Sequence, residues 1–491
     1  MTTLQPLARL RERYLTPQLP RILIHRGTAG DAVGVSEYGD QIRAALGDRA
    51  GAVADAASDG ANWAAPSATV MHGTFTRRFD RLDLNGIDDV IACFNGDCGD
   101  EANYAGTGGR GLTARLGRND GTLGDVLSQA GYGGLDRALS VTPEELLDRL
   151  EKVGLTGRGG AHFPVSMKWR LAAAHTNDPR MLVVNAEEGE PGVFKDRHML
   201  EGDPHRLIEG ILIAHHAVGF QDAYVYINGQ ARQARAAFER ALADATEAGI
   251  IDGSAWDRDF GLQIHVRSGA GGYVCGEESV ILNSIEGERP VPRFKPPYAT
   301  DAGLFNRPTV INNAETLAAV TTIFENPPPP TKLVSLSGDV PRPGLYEVPV
   351  DGATTWAGVL AMAGTNPQQV QAILLGGPSG VFVRPEQFED ALEMRGLGAG
   401  GTVVLGPGAD IAQVTRDLAS YNQRESCGEC TPCREGSVRL VQLLADAAGN
   451  RERIGDLIEV LTEGSLCQLG GMAGRPVQSA LEQFPAAFES D

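Results

Sequence analysis

Two periodicities alternate along this chain. Short apolar runs of strand length are followed by longer stretches whose apolar residues recur every three or four positions. Near the start, "PRILIHRG" reads as a strand and "VSEYGDQIRAALGD" as a helix, with "TVMHGTF" and "DDVIACFNG" after them. That alternation predicts a small α/β domain over residues 20–105. The glycine-rich "YAGTGGRGLTARLGRNDG" reads as a linker. "TPEELLDRLEKVG" carries Thr142 as a candidate N-cap, Glu145 three positions on, and then apolar helical spacing. The next stretch runs "RMLVVNAEEGEPG", a buried strand entering a loop, then "DAYVYINGQ" and its helix, then "QIHVRSGAGGYVCGEESVILNSIEG". Repeated strand–loop–helix order predicts a mostly parallel sheet whose loops gather at one edge. "ENPPPP" at 325–330 marks a boundary. Residues 331–408 read as β-rich and 409–491 as helices.

Composition narrows the class. The chain has 491 residues, 42% of them hydrophobic, enough for several cores. No apolar run reaches the roughly 18 residues of a membrane span. The first residues lack the apolar centre of a secretory signal, and seven unevenly placed cysteines do not form a secreted disulfide framework, so a cytoplasmic protein is expected. Net charge is −20 with no long Lys/Arg cluster, which argues against nucleic acid as a partner. The short basic run "TRRFDR" is expected to be a solvated face.

Three loops carry candidate chemistry. In "GRGGAHFPVSMKW", Gly157, Gly159 and Gly160 allow close backbone approach, and Arg158 or Lys168 could help their N–H groups hold a phosphate. The spacing fits no standard phosphate motif, so a plain turn stands equally open. "NAEEGEPGVFKDR" sets Glu187, Glu188 and Glu190 just beyond a strand, where carboxylates often hold ribose, flavin or nicotinamide groups. A solvated acidic loop is the ordinary alternative. "SGAGGYVCGEESVI" places Glu277 and Glu278 at a helix start, as caps or as acceptors for a ligand. Cys275 within it reads as packing.

Cys427, Cys430 and Cys433 are spaced too tightly for a zinc ribbon. They match the compact part of a [4Fe–4S] ligand set, and Cys467 supplies a fourth thiol 34 residues beyond Cys433. A four-cysteine zinc knuckle remains the alternative. The intervening stretch reads as two helices that fold back. Cys93 and Cys98 make neither a redox Cys-x-x-Cys nor a complete cluster ligand set, so no cluster is expected in the N-terminal domain.

Together, "GRGGAHFP", "NAEEGEPGVFKDRHMLEGDPHRLIEG", "GAGGYVCGEESVILNSIEGERPVPRFKPPY" with "PTVINNAETLA", and "ESCGECTPCREG" with "SLCQLGG" resemble the flavin-bearing, NADH-oxidising subunit of respiratory complex I. They resemble equally its relatives, the diaphorase subunits of NAD-dependent formate dehydrogenases and NAD-reducing hydrogenases. The resemblance spans roughly residues 130–485. It implies four domains: a degenerate thioredoxin-like domain (1–110), a Rossmann-like FMN and NAD(H) domain (111–330), a ubiquitin-like β-grasp domain (331–408) and a helical [4Fe–4S] domain (409–491). The N-terminal extension and the short Cys433–Cys467 spacing lean towards the diaphorases of formate dehydrogenases and hydrogenases rather than complex I itself, with the beta subunit of a bacterial NAD-dependent formate dehydrogenase as the nearest expected match.

By the same resemblance, FMN sits on Gly157, Arg158, Gly159 and Gly160 with Lys168 near its phosphate. Asn185, Glu187, Glu188, Tyr273, Gly276, Glu277 and Glu278 line the pocket, and Asn312 and Asn313 lie at the phosphate end. Phe163, Phe194 and Tyr298 would stack on NADH, with Lys295 and Glu190 as polar contacts. Cys427, Cys430, Cys433 and Cys467 would hold the cluster. Four positions depart from the family pattern: His162 and Ser166 stand where Gly is usual, Glu187 where Asp is, and Tyr298 where Phe is. An imidazole at 162 is expected beside the nucleotide cleft, crowding NADH or adding a donor. The implied activity is hydride exchange between NAD(H) and FMN, then single-electron transfer through the cluster. The implied partners are a molybdenum or tungsten formate dehydrogenase alpha subunit and a small [2Fe–2S] thioredoxin-like subunit. The rival readings are a complex I subunit, a hydrogenase subunit and a zinc-stabilised scaffold without activity.

Overall fold

A computed structural model describes residues 6–15, 19–72, 75–98, 111–175, 179–325 and 330–489. The first sheet contains β1 (Arg21–Arg26), β2 (Val53–Ala57), β3 (Ala68–His72) and β4 (Phe75–Phe79), in the order β2-β1-β3-β4. β1 runs parallel to β2 and antiparallel to β3, and β3 antiparallel to β4. Helices Val35–Leu46 and Leu84–Phe94 cover it through Val35, Ile42, Val90 and Phe94, which pack on Ile22, Ile24 and Val70.

The basic run is a solvated face only in part: Asp80 and Arg81 are exposed, whereas Arg78 is buried. It lies on and just past β4, and the Arg78 side chain is 2% exposed, paired with Asp59 at 2.7 Å and Asp80 at 2.7 Å. A strand edge folded onto the rest of the chain turned an apparently exposed charge inward. Cys93 and Cys98 are bonded to each other, a pairing that spacing alone did not suggest.

The second sheet is fully parallel: β5 (Arg180–Ala186), β6 (Phe220–Ile227), β7 (Gln263–Ser268) and β8 (Thr309–Asn313), in the order β7-β6-β5-β8. Burial on both faces explains the unbroken apolar runs in β5 and β6. Helix Pro204–Val218 is buried on nearly every face, and its Glu209 accepts backbone N–H groups of Tyr132, Gly134 and Leu135. The predicted capping box forms, with Thr142 and Glu145 each bonding the other's backbone N–H. From β5 the chain order runs outward to β6 and β7, then returns to β8 on the other side. The crevice beyond the C-terminal ends of β5 and β8 is therefore a topological switch point, where α/β sheets receive ligands.

The third sheet is mixed: β9 (Thr331–Gly338), β10 (Gly344–Pro349), β11 (Ala372–Leu375), β12 (Val381–Val383) and β13 (Gly401–Leu405), in the order β10-β9-β13-β11-β12. β9 pairs parallel with β13 and antiparallel with β10. Helix Trp356–Met362, capped by Thr355, closes a core of Val334, Leu336, Tyr346, Leu360 and Ile373. Glu347 on β10 accepts the N–H groups of Leu112 and Thr113, and Leu345 donates to Gly60, which ties this sheet to the chain's first third.

Helices Ile411–Glu425, Thr431–Leu443, Arg451–Gly464 and Arg475–Gln483 complete the molecule around Leu440, Leu443, Ile454, Leu461 and Val477. The expected helical hairpin between Cys433 and Cys467 is present. Among the described residues no helix is long and apolar enough to cross a membrane.

Candidate functional site

Four loops meet at the switch point. The glycine turn is closed by a backbone bond from Gly157 N–H to Phe163 C=O at 2.9 Å. Arg158 N–H donates to Thr316 Oγ1 at 2.8 Å, which anchors the turn to the helix after β8. A Cβ on Gly159 would stand 3.1 Å from Cβ of Asn313, so the turn lies directly on β8's end. Gly160 has φ +109°, a conformation that glycine permits. The N–H groups of Gly159 and Gly160 have no acceptor among the described residues. Lys168 extends beneath the turn and donates to Ile311 C=O at 3.1 Å, and burial lowers its pKa. Asn312 accepts from Trp169 Nε1 at 2.8 Å.

The acidic loop is drawn inward: Glu187 is buried, and Glu188 and Glu190 are half-buried. Glu188 accepts the N–H groups of Asp196 (2.8 Å) and Arg197 (3.1 Å), so it caps the helix Lys195–Gly202. Glu187 accepts from Asn228 Nδ2 at 2.6 Å through one oxygen, and its other oxygen is buried without a partner. Oε1 of Glu190 is likewise buried and unpartnered. Burial pushes the Glu187 carboxyl up to about 7, offset in part by Asn228. Burial and then Asp196 push Glu188 up to about 7, against Lys195. Burial pushes Glu190 up to about 8. Beside this loop lies a cavity of about 400 Å³ lined by Glu188, Glu190, Arg197, Asn228, Tyr273 and Glu425 among others.

Asn185 and Asn313 stitch the loops together. Asn185 Nδ2 donates to Gly276 C=O at 2.9 Å, and Asn313 Nδ2 donates to Asn185 C=O at 3.1 Å and to Asp196 at 2.7 Å. Glu277 caps helix Glu278–Glu286 by accepting from Ser279 and Val280 N–H, while Lys295 bonds Glu278 at 2.5 Å and Glu277 at 3.3 Å. Tyr298 and Phe163 are exposed, on segments joined by the His175–Asp301 pair at 3.5 Å. Phe194 instead turns its ring to His198, 5.4 Å between centroids.

His162 is not exposed in a cleft. It sits at φ +53°, 6% exposed, with both ring nitrogens unpartnered. Burial lowers its pKa, and Lys332, Arg158 and Arg395 lower it further.

Several site-building residues gave little sign in the sequence. Lys195 donates to Asp196 (2.7 Å) and Asn313 (3.1 Å) and pairs with Glu315 (3.2 Å). Lys332 pairs with the same Glu315 oxygen at 2.5 Å from the other side. Burial works against the charge on Lys195, yet Asp196, Glu315 and Glu188 together hold its pKa above the ordinary lysine range. Burial brings Lys332 down to about 8 despite Glu315. The one signal available was a lysine at 332, in phase with the core positions Val334 and Leu336 of β9.

The four thiols gather against the Tyr273–Glu278 loop. Cys427, Cys430, Cys433 and Cys467 share one apolar cluster with Val274, Cys275, Val280 and Leu469. Cys430 precedes the helix Thr431–Leu443 and Cys467 precedes the helix Gln468–Met472. Burial pushes Cys467 up to about 11, opposed by the backbone N–H groups of Leu469 and Gly470. Leu466 N–H points at Cys430 Sγ, 3.5 Å away. Amides aimed at sulfur favour thiolate ligands. Four thiols gathered in an apolar wall suit a multi-iron cluster, and unpartnered carboxylates beside free glycine N–H groups suit a flavin and a nicotinamide.

A parallel α/β ligand sheet joined to a four-thiol helical unit defines a flavin- and iron–sulfur-dependent oxidoreductase component. Residues 150–322 match the Nuo51 FMN-binding domain family, and residues 413–491 match the NADH-ubiquinone oxidoreductase-F iron-sulfur binding region. Over 384 residues the chain is 38% identical to the second F-type component of NADH-quinone oxidoreductase from Rhizobium meliloti, covering 73% of this chain and 91% of that one. The chain therefore belongs to the complex I flavoprotein family, and its cofactors are FMN, NAD(H) and a [4Fe–4S] cluster. It is also 33% identical over 395 residues to HndC, a component of the NADP-reducing hydrogenase of Solidesulfovibrio fructosivorans, covering 75% of this chain and 80% of that one. A crystal structure of an NAD⁺-reducing [NiFe]-hydrogenase in its H₂-reduced state aligns with a TM-score of 0.68 at 29% identity, covering 99% of this chain and 87% of that one.

Proposed function

We propose that this chain is the diaphorase subunit of a cytoplasmic NAD-dependent oxidoreductase, most closely a formate dehydrogenase that reduces NAD⁺. The observation that carries the reading is the convergence of the glycine turn, the acidic loop and the Tyr273–Glu278 loop, with the four thiols packed against the last of these. Bound FMN supplies the essential chemistry, exchanging an electron pair with the dinucleotide and single electrons with the cluster.

The chain's own work is positioning. Gly159 and Gly160 N–H, with Arg158, Gly157 and Lys168 around them, receive the flavin phosphate, and Asn312 and Asn313 shape its floor. Asn185, Glu187, Glu188, Tyr273, Gly276, Glu277 and Glu278 line the isoalloxazine and ribityl region. Phe163 and Tyr298 stack on the dinucleotide, with Lys295 and Glu190 as its polar partners, while Phe194 packs on His198. Unpartnered oxygens on Glu187 and Glu190 are ready acceptors for the carboxamide and hydroxyl donors of a ligand. Cys427, Cys430, Cys433 and Cys467 ligate the cluster.

The four-unit architecture supports domains of thioredoxin-like (1–110), Rossmann-like (111–330), β-grasp (331–408) and helical cluster-binding (409–491) type. A hydrogenase assembly is the second reading. It is favoured by the alignment of 99% of this chain, its N-terminal unit included, with the hydrogenase chain. The complex I relative covers 73%. Purification of the native complex distinguishes them. Molybdenum or tungsten with a formate-oxidising chain and a small [2Fe–2S] subunit is the expected result. Nickel would move the assignment to a hydrogenase, and membrane subunits to complex I. Within the chain, Cys430→Ser should abolish electron exit while NADH still bleaches the flavin. Loss of bleaching in a folded variant would sink the division of labour.

A further inference from the structure

Strand β9 of the third unit reaches the ligand crevice at three points. Leu333 N–H donates to Glu315 Oε1 at 3.1 Å, Ser335 Oγ accepts Phe194 N–H at 3.0 Å, and Lys332 reaches the glycine turn. The Lys332 ammonium is fully buried and meets three acceptors: Glu315 Oε2 at 2.5 Å, Arg158 C=O at 3.2 Å and Ala399 C=O at 3.4 Å. Two of these are backbone carbonyls from different units, one of them inside the glycine turn. Arg158 is thus held through both its backbone groups, its N–H by Thr316 Oγ1 at 2.8 Å and its C=O by Lys332.

We propose that Lys332 is a positioning residue for the flavin phosphate. By fixing the Arg158 carbonyl from behind, it presents the free N–H groups of Gly159 and Gly160 to the anion, so the third unit is part of the flavin site. A buried ammonium is costly unless all its protons are met, and buried ion pairs are often replaced by apolar residues without loss of stability. Removing one partner alone strands the other charge, so stability and FMN affinity must be read separately in each variant. The arrangement also explains why Glu315 stands between two lysines. It neutralises Lys332 while Lys195 ties the acidic loop to the same carboxylate.

The proposal rests on placing the FMN phosphate at this turn, and the experiment separates the two. FMN is titrated into the flavin-free full chain by fluorescence quenching, and the melting temperature of each flavin-free variant is recorded. Lys332→Met leaves the buried Glu315 carboxylate short of one cation, so the melting temperature should fall. In the chain that is still folded, FMN binding should weaken by about tenfold or more. Lys332→Arg, which keeps a charged donor, should recover most of that loss. Lys168→Met reads the phosphate site itself and should weaken FMN binding as well.

If K168M weakens binding and K332M does not, the proposal is overturned and the site stands. If K168M binds FMN normally, the phosphate lies elsewhere and the proposal falls with the site. If K332M and K332R bind equally poorly and both melt early, Lys332 is structural only. Should K332M fail to fold, Thr316→Val frees the other half of the same residue. It must then weaken FMN binding by a similar factor, and unchanged affinity would overturn the proposal.

Discussion

The carboxylate of Glu425, two residues before Cys427, the first of the four gathered thiols, accepts the backbone N–H of Tyr273 at 2.8 Å. The neighbouring Tyr421 hydroxyl donates to Gly189 C=O at 3.1 Å. One helix therefore holds both ligand loops and launches the cysteine loop, which sets the separation between the two redox centres. Glu425→Ala should slow cluster reduction in stopped-flow experiments while leaving flavin reduction by NADH unchanged. Its stability cost should be about 1 kcal/mol, and Glu425→Gln, which keeps an acceptor, should restore the rate.

The pH dependence of the flavin-free chain follows from the acidic loop. Glu187 at about 7 and Glu190 at about 8 both lie above the ordinary 4.5, because burial disfavours the carboxylate. The folded state therefore keeps protons that the unfolded chain releases from about pH 4.5 upward. Their stabilising share is full below that pH and is lost as pH rises through 7 and 8. The melting temperature should fall between pH 5 and 8, and Glu190→Gln should flatten that fall. An unchanged slope in the variant would remove Glu190 from the account.

The cluster loop is packed without slack. A Cβ on Gly470 would stand 2.5 Å from Ser465 Oγ and 2.8 Å from Cβ of Cys433. Gly470→Ala should cost about 1–3 kcal/mol in the helical unit and lower iron and sulfide content. FMN content should stay at its parent level, since the flavin loops are not touched.

Arg78 and Asp59 form a buried pair in the first unit, each side chain 2% exposed. Arg78→Ala removes the cation paired with the buried Asp59 and should cost about 3–5 kcal/mol in urea unfolding. The double variant Arg78→Met, Asp59→Leu should recover much of it, because both charges are then gone.

Local patterns revealed a good deal. The apolar runs of β5 and β6 announced a parallel sheet, Thr142 and Glu145 announced a helix start, and the Cys433–Cys467 interval announced a returning hairpin. The thiol quartet and the glycine and acidic loops were likewise visible as motifs. Each is a feature of neighbouring residues, where propensity, capping and spacing act directly. β2 (Val53–Ala57) was harder to see, because its small residues form a strand only through pairing with β1.

What the chain determined by itself was which residues carry chemistry and roughly which element each occupies. Tertiary structure decided their charge state and company. It buried Glu187 and half-buried Glu190, turned His162 inward against cations, paired Cys93 with Cys98, and brought Lys332 across a unit boundary to Arg158. Burial and long-range ion pairing depend on residues far apart in the chain, as with Lys332 and Arg158, which are separated by 174 positions. No local window of sequence carries that information.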